Sequence, residues 1–348
     1  MTDRRSVMRG LALVGAGGLL PDFAGAAAPV DDTAFILSTV DPELRDMAAR
    51  LLAAPPRPPL TTKTLPIARQ TQPGFAVPPA KVPVRKVMLE RAGQPPLALY
   101  IFNEKPRGSR RPALLHTHGG GFILGAAQFS APAVQDICLA LDCPAVSVDY
   151  RLAPETTYQG SVEDNYAGLK WLHDHADDIG ADRDRIAVIG ESAGGGHAAL
   201  LAITARDRGE VKPAFQCLIY PMLDDRTGTS MTVPPHLGRL IWTAQTNHFG
   251  WQSFLGMTPG TAHVPSKAVP ARTLDLKGLP PTFIGTGSID LFVDEDITYA
   301  RRLVAAGVPT ELLVVPGAFH GFEVFVPESR PARRFKQSII DALTKALL

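Results

Sequence analysis

Gly190-Glu191-Ser192-Ala193-Gly194 stands between a short apolar run, Ile186 to Ile189, and a stretch from Ala193 to Arg206 that carries apolar residues at helical spacing. A Gly-x-Ser-x-Gly set between a strand and a helix is a nucleophile elbow. Its glycines permit a tight reversal that forces the middle residue into a strained conformation and lifts the hydroxyl clear of the sheet. The start of the helix favours negative charge developing above it. Ser192 is therefore the candidate nucleophile. The same pentapeptide also occurs in ordinary turns, so the chain must supply the partners as well.

A serine hydroxyl becomes a good nucleophile only when an imidazole takes its proton, and that imidazole needs a carboxylate to fix its tautomer. Hydrolases with this elbow order the three groups Ser, acid, His. Of the nine histidines, only His320 follows both Ser192 and an acid at the end of an apolar run. It lies in Pro316-Gly317-Ala318-Phe319-His320, just past Leu312 to Val315, and the preferred acid, Asp290, follows Thr282 to Gly285. Asp294, Glu295 and Asp296 compete for that role, although they suit the first turn of the next helix. After Ala113 to Thr117 comes His118-Gly119-Gly120-Gly121-Phe122. A glycine-only turn bares backbone N–H groups for a tetrahedral oxyanion, joined by the N–H of Ala193, each such donor being worth about 3 kcal/mol. His118 is expected to orient that turn with Gly119. His116 and His118 share a strand face, but no third ligand at metal spacing accompanies them, so no metal is expected. His173 and His175 diverge on a helix, and His197 is expected to pack or cap.

These groups need a scaffold. Apolar runs at Leu97 to Phe102, Ala113 to Thr117, Ala145 to Val148, Ile186 to Ile189, Gln216 to Tyr220, Thr282 to Gly285 and Leu312 to Val315 read as buried strands. Helical patterns at Val162 to His175, Ala193 to Arg206 and Asp294 to Ala306 alternate with them, which means an α/β fold with a largely parallel sheet and helices on both faces. Residues 83–348 would form this catalytic domain. Met222 to about Leu276 interrupts it with turn residues and the aromatics Trp242, His248, Phe249, Trp251 and Phe254, as a lid would. Upstream, Asp41-Pro42 followed by Leu44, Met47, Ala48 and Leu51 predicts a short helix with Asp41 as N-cap and Pro42 at its first position. Residues 55–83 hold nine prolines and predict an extended wrap.

A chain of 348 residues, 45% hydrophobic and 20% charged, buries about three quarters of its unfolded surface. It is therefore no disulfide mini-scaffold. Its 31 Gly and 32 Pro stay well below the share, about 25–30%, of low-complexity chains. A net charge of +1 leaves no electrostatic footprint for a nucleic-acid partner. Arg4-Arg5-Ser6-Val7-Met8-Arg9, the apolar run Gly10 to Leu20 and Ala24-Gly25-Ala26-Ala27-Ala28 have the layout of a twin-arginine signal peptide over residues 1–28. The run falls short of the roughly 20 residues a spanning helix needs, so export rather than membrane insertion is expected, a cytoplasmic extension being the alternative. Cys138, Cys143 and Cys217 read as buried thiols. On one helix, Cys138 and Cys143 would diverge beyond disulfide reach, and a bridge between them is the alternative that export would allow.

His118-Gly119-Gly120-Gly121, Asp149-Tyr150-Arg151-Leu152-Ala153-Pro154-Glu155, Gly190-Glu191-Ser192-Ala193-Gly194-Gly195, Gly278-Leu279-Pro280-Pro281, Asp290 and His320-Gly321-Phe322 together resemble the hormone-sensitive-lipase family of α/β-hydrolase carboxylesterases. The resemblance runs from about Pro83 to Leu348. It implies an eight-stranded, mostly parallel sheet, with a helical cap built from the segment over residues 29–82 and the 222–276 insertion. It implies hydrolysis of a small-molecule ester with a short to medium acyl chain, without cofactor. Carried over by position, Ser192 is the nucleophile, His320 the base, Asp290 its orienter, and Gly120, Gly121 and Ala193 the oxyanion donors. Asp149 and Arg151 would tie a strand end to the oxyanion turn. Phe122, Trp251 and Phe254 are expected to shape the substrate pocket. An amidase or polysaccharide deacetylase would use the same triad, and a non-catalytic small-molecule receptor would use the same fold. The presence of His320 weighs against the receptor.

Overall fold

The structure, a computed structural model, describes residues 32–56, 58–71 and 80–348. The leader read at residues 1–28 lies outside them. Eight strands form one sheet: β1 (Val84–Arg91), β2 (Gln94–Phe102), β3 (Arg111–Thr117), β4 (Ala145–Asp149), β5 (Ala181–Glu191), β6 (Phe215–Ile219), β7 (Thr282–Gly287) and β8 (Thr310–Val315), in the spatial order β1-β2-β4-β3-β5-β6-β7-β8. Only β2 runs against the rest; from β4 to β8 every neighbouring pair is parallel. Each apolar run falls on a strand, with Tyr220 just past the end of β6. β1 had no apolar run to announce it. It is an edge strand carrying Arg85, Lys86, Glu90 and Arg91, with alternate residues left exposed, as edges that must not pair further are built.

The alternation of the strands sorts side chains into two cores. Leu97, Leu99 and Ile101 of β2 join one, with Leu115, Val146, Val148 and Val188, while Ala98, Tyr100 and Phe102 join the other, with Leu114, Ala145 and Ile189. Helices α5 (Tyr158–Asp174), α6 (Ala193–Arg208) and α8 (Val293–Ala305) cover the first face. Helices α2 (Arg45–Ala53), α4 (Ala131–Leu141) and α10 (Arg330–Leu347) cover the second. The short α9 (Phe322–Phe325) follows β8. Among the described residues no helix is long and apolar enough to cross a membrane.

The two segments expected to build a cap carry α1 (Asp32–Thr39), α2 and α3 (Leu65–Gln70) upstream, and α7 (Ala244–Leu255) within the insertion between β6 and β7. Three expectations are corrected here. The helix after Asp41-Pro42 starts at Arg45, not at Pro42, because the Asp41 carboxylate accepts the Glu43 N–H at 2.8 Å and closes a separate turn. The proline-rich stretch is not wholly extended. It contains α3, with Pro66 in the first turn, where no amide hydrogen is needed. Cys143 does not share a helix with Cys138: α4 ends at Leu141, Asp142 turns left-handed at φ 47°, and the Cys143 N–H returns to the Cys138 carbonyl at 3.1 Å. All three cysteines are free and buried.

Candidate active site

β5 delivers Glu191 and stops, Ser192 turns to φ 57° and ψ −122°, and α6 begins at Ala193. The reversal is tight enough that a β-carbon on Gly194 would stand 2.0 Å from the Thr117 carbonyl oxygen. The strained serine is held on both sides. Its N–H donates to Ile219 O at 2.9 Å, and its carbonyl accepts from Gly196 N at 3.0 Å and Met222 N at 2.9 Å. Loops leaving the ends of β7 and β8 bring Asp290 and His320 to it. His320 Nε2 lies 2.9 Å from Ser192 Oγ, and His320 Nδ1 lies 2.8 Å from Asp290 Oδ2. The other Asp290 oxygen accepts the Phe292 N–H at 3.0 Å, which fixes the carboxylate plane. All three side chains are buried, and the rings of Tyr220 and Phe292 pack edge-on against the imidazole. Of the four competing acids, Asp290 is the one bonded to His320; Asp294, Glu295 and Asp296 open α8, as their first-turn reading expects.

The glycine turn after β3 runs through consecutive left-handed residues, Gly120, Gly121 and Phe122, at φ 125°, 60° and 66°. A β-carbon at Gly120 would meet the Leu124 carbonyl, and one at Gly121 would meet the Trp242 indole, which lies flush against this turn. Gly120 O accepts from Ile123 N and Leu124 N, while among the described residues no backbone bond uses the Gly120 or Gly121 N–H. The Ala193 N–H is the first of α6, where an amide has no partner within its helix. His118 donates from Nδ1 to Gly119 O at 2.8 Å and stacks on Tyr150, whose hydroxyl donates to His118 O at 2.7 Å.

Glu191 is the residue that sequence reasoning passed over. Its Oε1 accepts the Gly119 N–H at 3.0 Å and the Ser130 hydroxyl at 2.5 Å, and its Oε2 lies 2.9 Å from His116 Nε2, whose Nδ1 meets Ser147 Oγ at 2.7 Å. Burial works to raise this carboxyl, but His116, Ser130 and the Gly119 N–H outweigh it and hold it below the usual carboxylate range. Its signal in the sequence was the acid inside the elbow itself, one residue from the nucleophile. Both ring nitrogens of His116 are thus engaged within the protein. His197 packs, as expected, against Phe122, Tyr150 and Phe254, and burial pushes its imidazole down to about 3.

One expectation about supporting residues changes. Asp149 does reach the segment after the glycine turn, accepting the Ala127 N–H at 3.0 Å. Arg151 does not: its guanidinium grips Asp164 of α5, because that buried carboxylate needs cationic partners and takes Arg91 as well. The link from this strand end to the glycine turn is Tyr150, through its hydroxyl on His118 O. Phe122, Trp251 and Phe254 are brought together as a cluster of fully buried rings packed on one another, with the ring centres of Phe122 and Phe254 3.9 Å apart. Trp242, on Gly121, is the insertion's aromatic nearest the glycine turn.

Residues 114–324 match the family described as alpha/beta hydrolase fold. Carboxylesterase NlhH of Mycobacterium tuberculosis is 38% identical over 219 residues, 62% of this chain and 67% of the relative. The ethyl acetate hydrolase of Pseudomonas putida is 30% identical over 233 residues, 65% of this chain and 71% of that one. Among solved structures, a bacterial heroin esterase superposes with a TM-score of 0.81 at 35% identity, covering 90% of this chain and 99% of its own. Esterase LipW of Mycobacterium marinum gives 0.78 at 31% identity, over 89% and 96%. With its sheet order, elbow and converging side chains, the chain belongs to the alpha/beta hydrolase family, in the hormone-sensitive-lipase-like branch that its motifs resemble, and is an enzyme of the hydrolase class.

Proposed function

We propose that the protein is a carboxylesterase that cleaves small-molecule esters of short to medium acyl chain through an acyl-enzyme on Ser192. The observation that carries this reading is the unbroken hydrogen-bond relay from Ser192 Oγ through His320 to Asp290. As Oγ attacks the ester carbonyl carbon, His320 Nε2 takes the hydroxyl proton, and Asp290 keeps Nδ1 protonated and stabilises the imidazolium. The N–H groups of Gly120, Gly121 and Ala193 receive the oxyanion, each worth about 3 kcal/mol at the transition state. Collapse of the tetrahedral adduct passes the proton from His320 to the departing alcohol. Water, deprotonated by the same imidazole, then releases the acid. The Trp242 indole packed on Gly121 crowds the glycine turn and favours a compact acyl group.

Hydrolysis of p-nitrophenyl acetate, butyrate and decanoate by the wild type and by Ser192→Ala tests this. The variant is expected to lose about 10⁴-fold or more, and His320→Ala a similar amount, because triad members act as a unit. Equal rates in wild type and Ser192→Ala would reject the reading, and activity confined to amides would move it to the amidases. On the strength of Arg4-Arg5 and the small-residue stretch that follows, we also propose export after removal of residues 1–28. Sequencing the N-terminus of the active protein tests that, an intact Met1 counting against it.

A further inference from the structure

Left-handed conformation is strained for a residue with a side chain, and a run of it persists only where neighbours fix each peptide. Phe122 closes such a run, directly after the two glycines whose N–H groups face the proposed oxyanion. Several hydrogen bonds support it. The Gly119 N–H is held by Glu191, and Gly120 O by Ile123 N and Leu124 N. Phe122 O accepts the Ala153 N–H at 2.9 Å. These all come from the α/β core. One support does not. Arg69, at the end of α3 in the N-terminal segment, donates from Nε to Ile123 O at 2.8 Å and from Nη2 to Ala153 O at 2.7 Å. The guanidinium therefore bridges the two backbone segments that the Phe122–Ala153 bond joins. Glu155 keeps it in place, taking Nη1 at 2.7 Å and Nη2 at 3.0 Å. Leu65, one turn earlier on α3, is buried in the same cluster as Phe122, Ile123 and Ala193.

We infer that Arg69 is a positioning residue for ester cleavage: it clamps the backbone behind the oxyanion turn, so that the N-terminal segment completes the catalytic site as well as roofing it. This rests on the esterase reading above. Only a guanidinium has a rigid planar fork that can serve two carbonyls and a carboxylate at once; an ammonium is a single point of attachment.

The test compares the wild type with Arg69→Met, Arg69→Ala, Arg69→Lys and Glu155→Gln, all as full chains, for kcat and KM on p-nitrophenyl butyrate and for inhibition by an alkyl trifluoromethyl ketone, which forms a tetrahedral adduct on the nucleophile. Arg69→Met is expected to lose about ten- to hundredfold in kcat, with KM changed less than about threefold, and to bind the ketone more weakly by a similar factor. Arg69→Lys should fall between, and Glu155→Gln should lose least. Added ethylguanidinium should restore part of the rate of Arg69→Ala and leave the wild type unchanged, a response that a merely loosened fold would not give. If Arg69→Met fails to fold, Arg69→Lys and Glu155→Gln carry the same comparison. A folded Arg69→Met with kcat and ketone affinity within twofold of wild type would overturn the inference, as would a rate loss that follows only the unfolded fraction and is not rescued. An inactive Ser192→Ala beside an unaffected Arg69→Met would sink this inference alone. An active Ser192→Ala would sink both.

Discussion

Two carboxyl clusters flank the Ser192–His320–Asp290 relay, and they are built on opposite principles. On the oxyanion side, Glu191 is ringed by donors, the Gly119 N–H, the Ser130 hydroxyl and the His116 ring, which keep it ionised despite burial. On the acid side, Glu295 and Asp296 open α8 under the cap. Glu295 accepts from Leu223 N at 2.6 Å, Asp224 N at 3.2 Å and the Thr227 hydroxyl, yet burial and the charge of Asp224 raise its carboxyl well above the ordinary range. Asp296 is fully buried and is raised likewise, by burial and by its neighbours Glu295 and Asp290. Donor count alone therefore does not decide ionisation. What separates the clusters is the kind of neighbour: an imidazole, a hydroxyl and a backbone N–H face Glu191, whereas other acids face Glu295 and Asp296. One cluster favours a negative charge beside the glycine turn, and the other favours neutral carboxyls near Asp290.

Substitutions that remove either carboxyl, with or without its shape, probe this contrast most sharply. Glu191→Ala should be the most damaging, costing about 3 kcal/mol in urea unfolding, because it strands the Gly119 N–H and the buried His116 ring. Glu191→Gln should still lose about 1–2 kcal/mol, since a charge-assisted acceptor becomes a neutral amide. Glu295→Gln, replacing a carboxyl that burial and Asp224 bias toward its neutral form, should stay within about 0.5–1 kcal/mol of wild type by the same measurement. Equal losses for the two Gln variants would mean that both clusters are charged, and the contrast would be gone. The smallest effect is expected from Asp296→Asn. Because the native carboxyl is raised above its unfolded value, the stability its proton supplies is complete below the unfolded carboxylate range and drains away as pH rises toward the raised value. Asn keeps the neutral form, so the melting temperature of Asp296→Asn should gain on wild type between about pH 5 and pH 8. A constant offset across that range would show that Asp296 is ionised in the native state.

The sequence made visible those parts of the site in which chemistry and backbone geometry are local. Ser192 between its glycines, the bare turn at Gly119 to Gly121, and His320 just past an apolar run each declare themselves within five or six residues. The strands did so wherever both faces are buried; β1 did not, because an edge strand wears charge instead of an apolar run. Links between distant segments were not legible. Nothing near Arg151 says that it turns to Asp164, and nothing near Arg69 says that it reaches Ile123 across 54 residues of chain. The aromatics of the insertion were seen as a group, but spacing cannot say whether they face an opening or one another. Their mutual stacking decides that, and stacking is set by how the cap folds over the sheet.

The sheet order carries a consequence for how such a molecule can change over time. Ser192 leaves β5, Asp290 follows β7 and His320 follows β8, while the insertion springs from the intervening β6. Material added or exchanged between Ile219 and Thr282 therefore remodels what hangs above the hydroxyl without altering the register of any strand that carries a member of the relay. New substrates can be sampled by rebuilding the awning while the blade stays mounted on the same three posts.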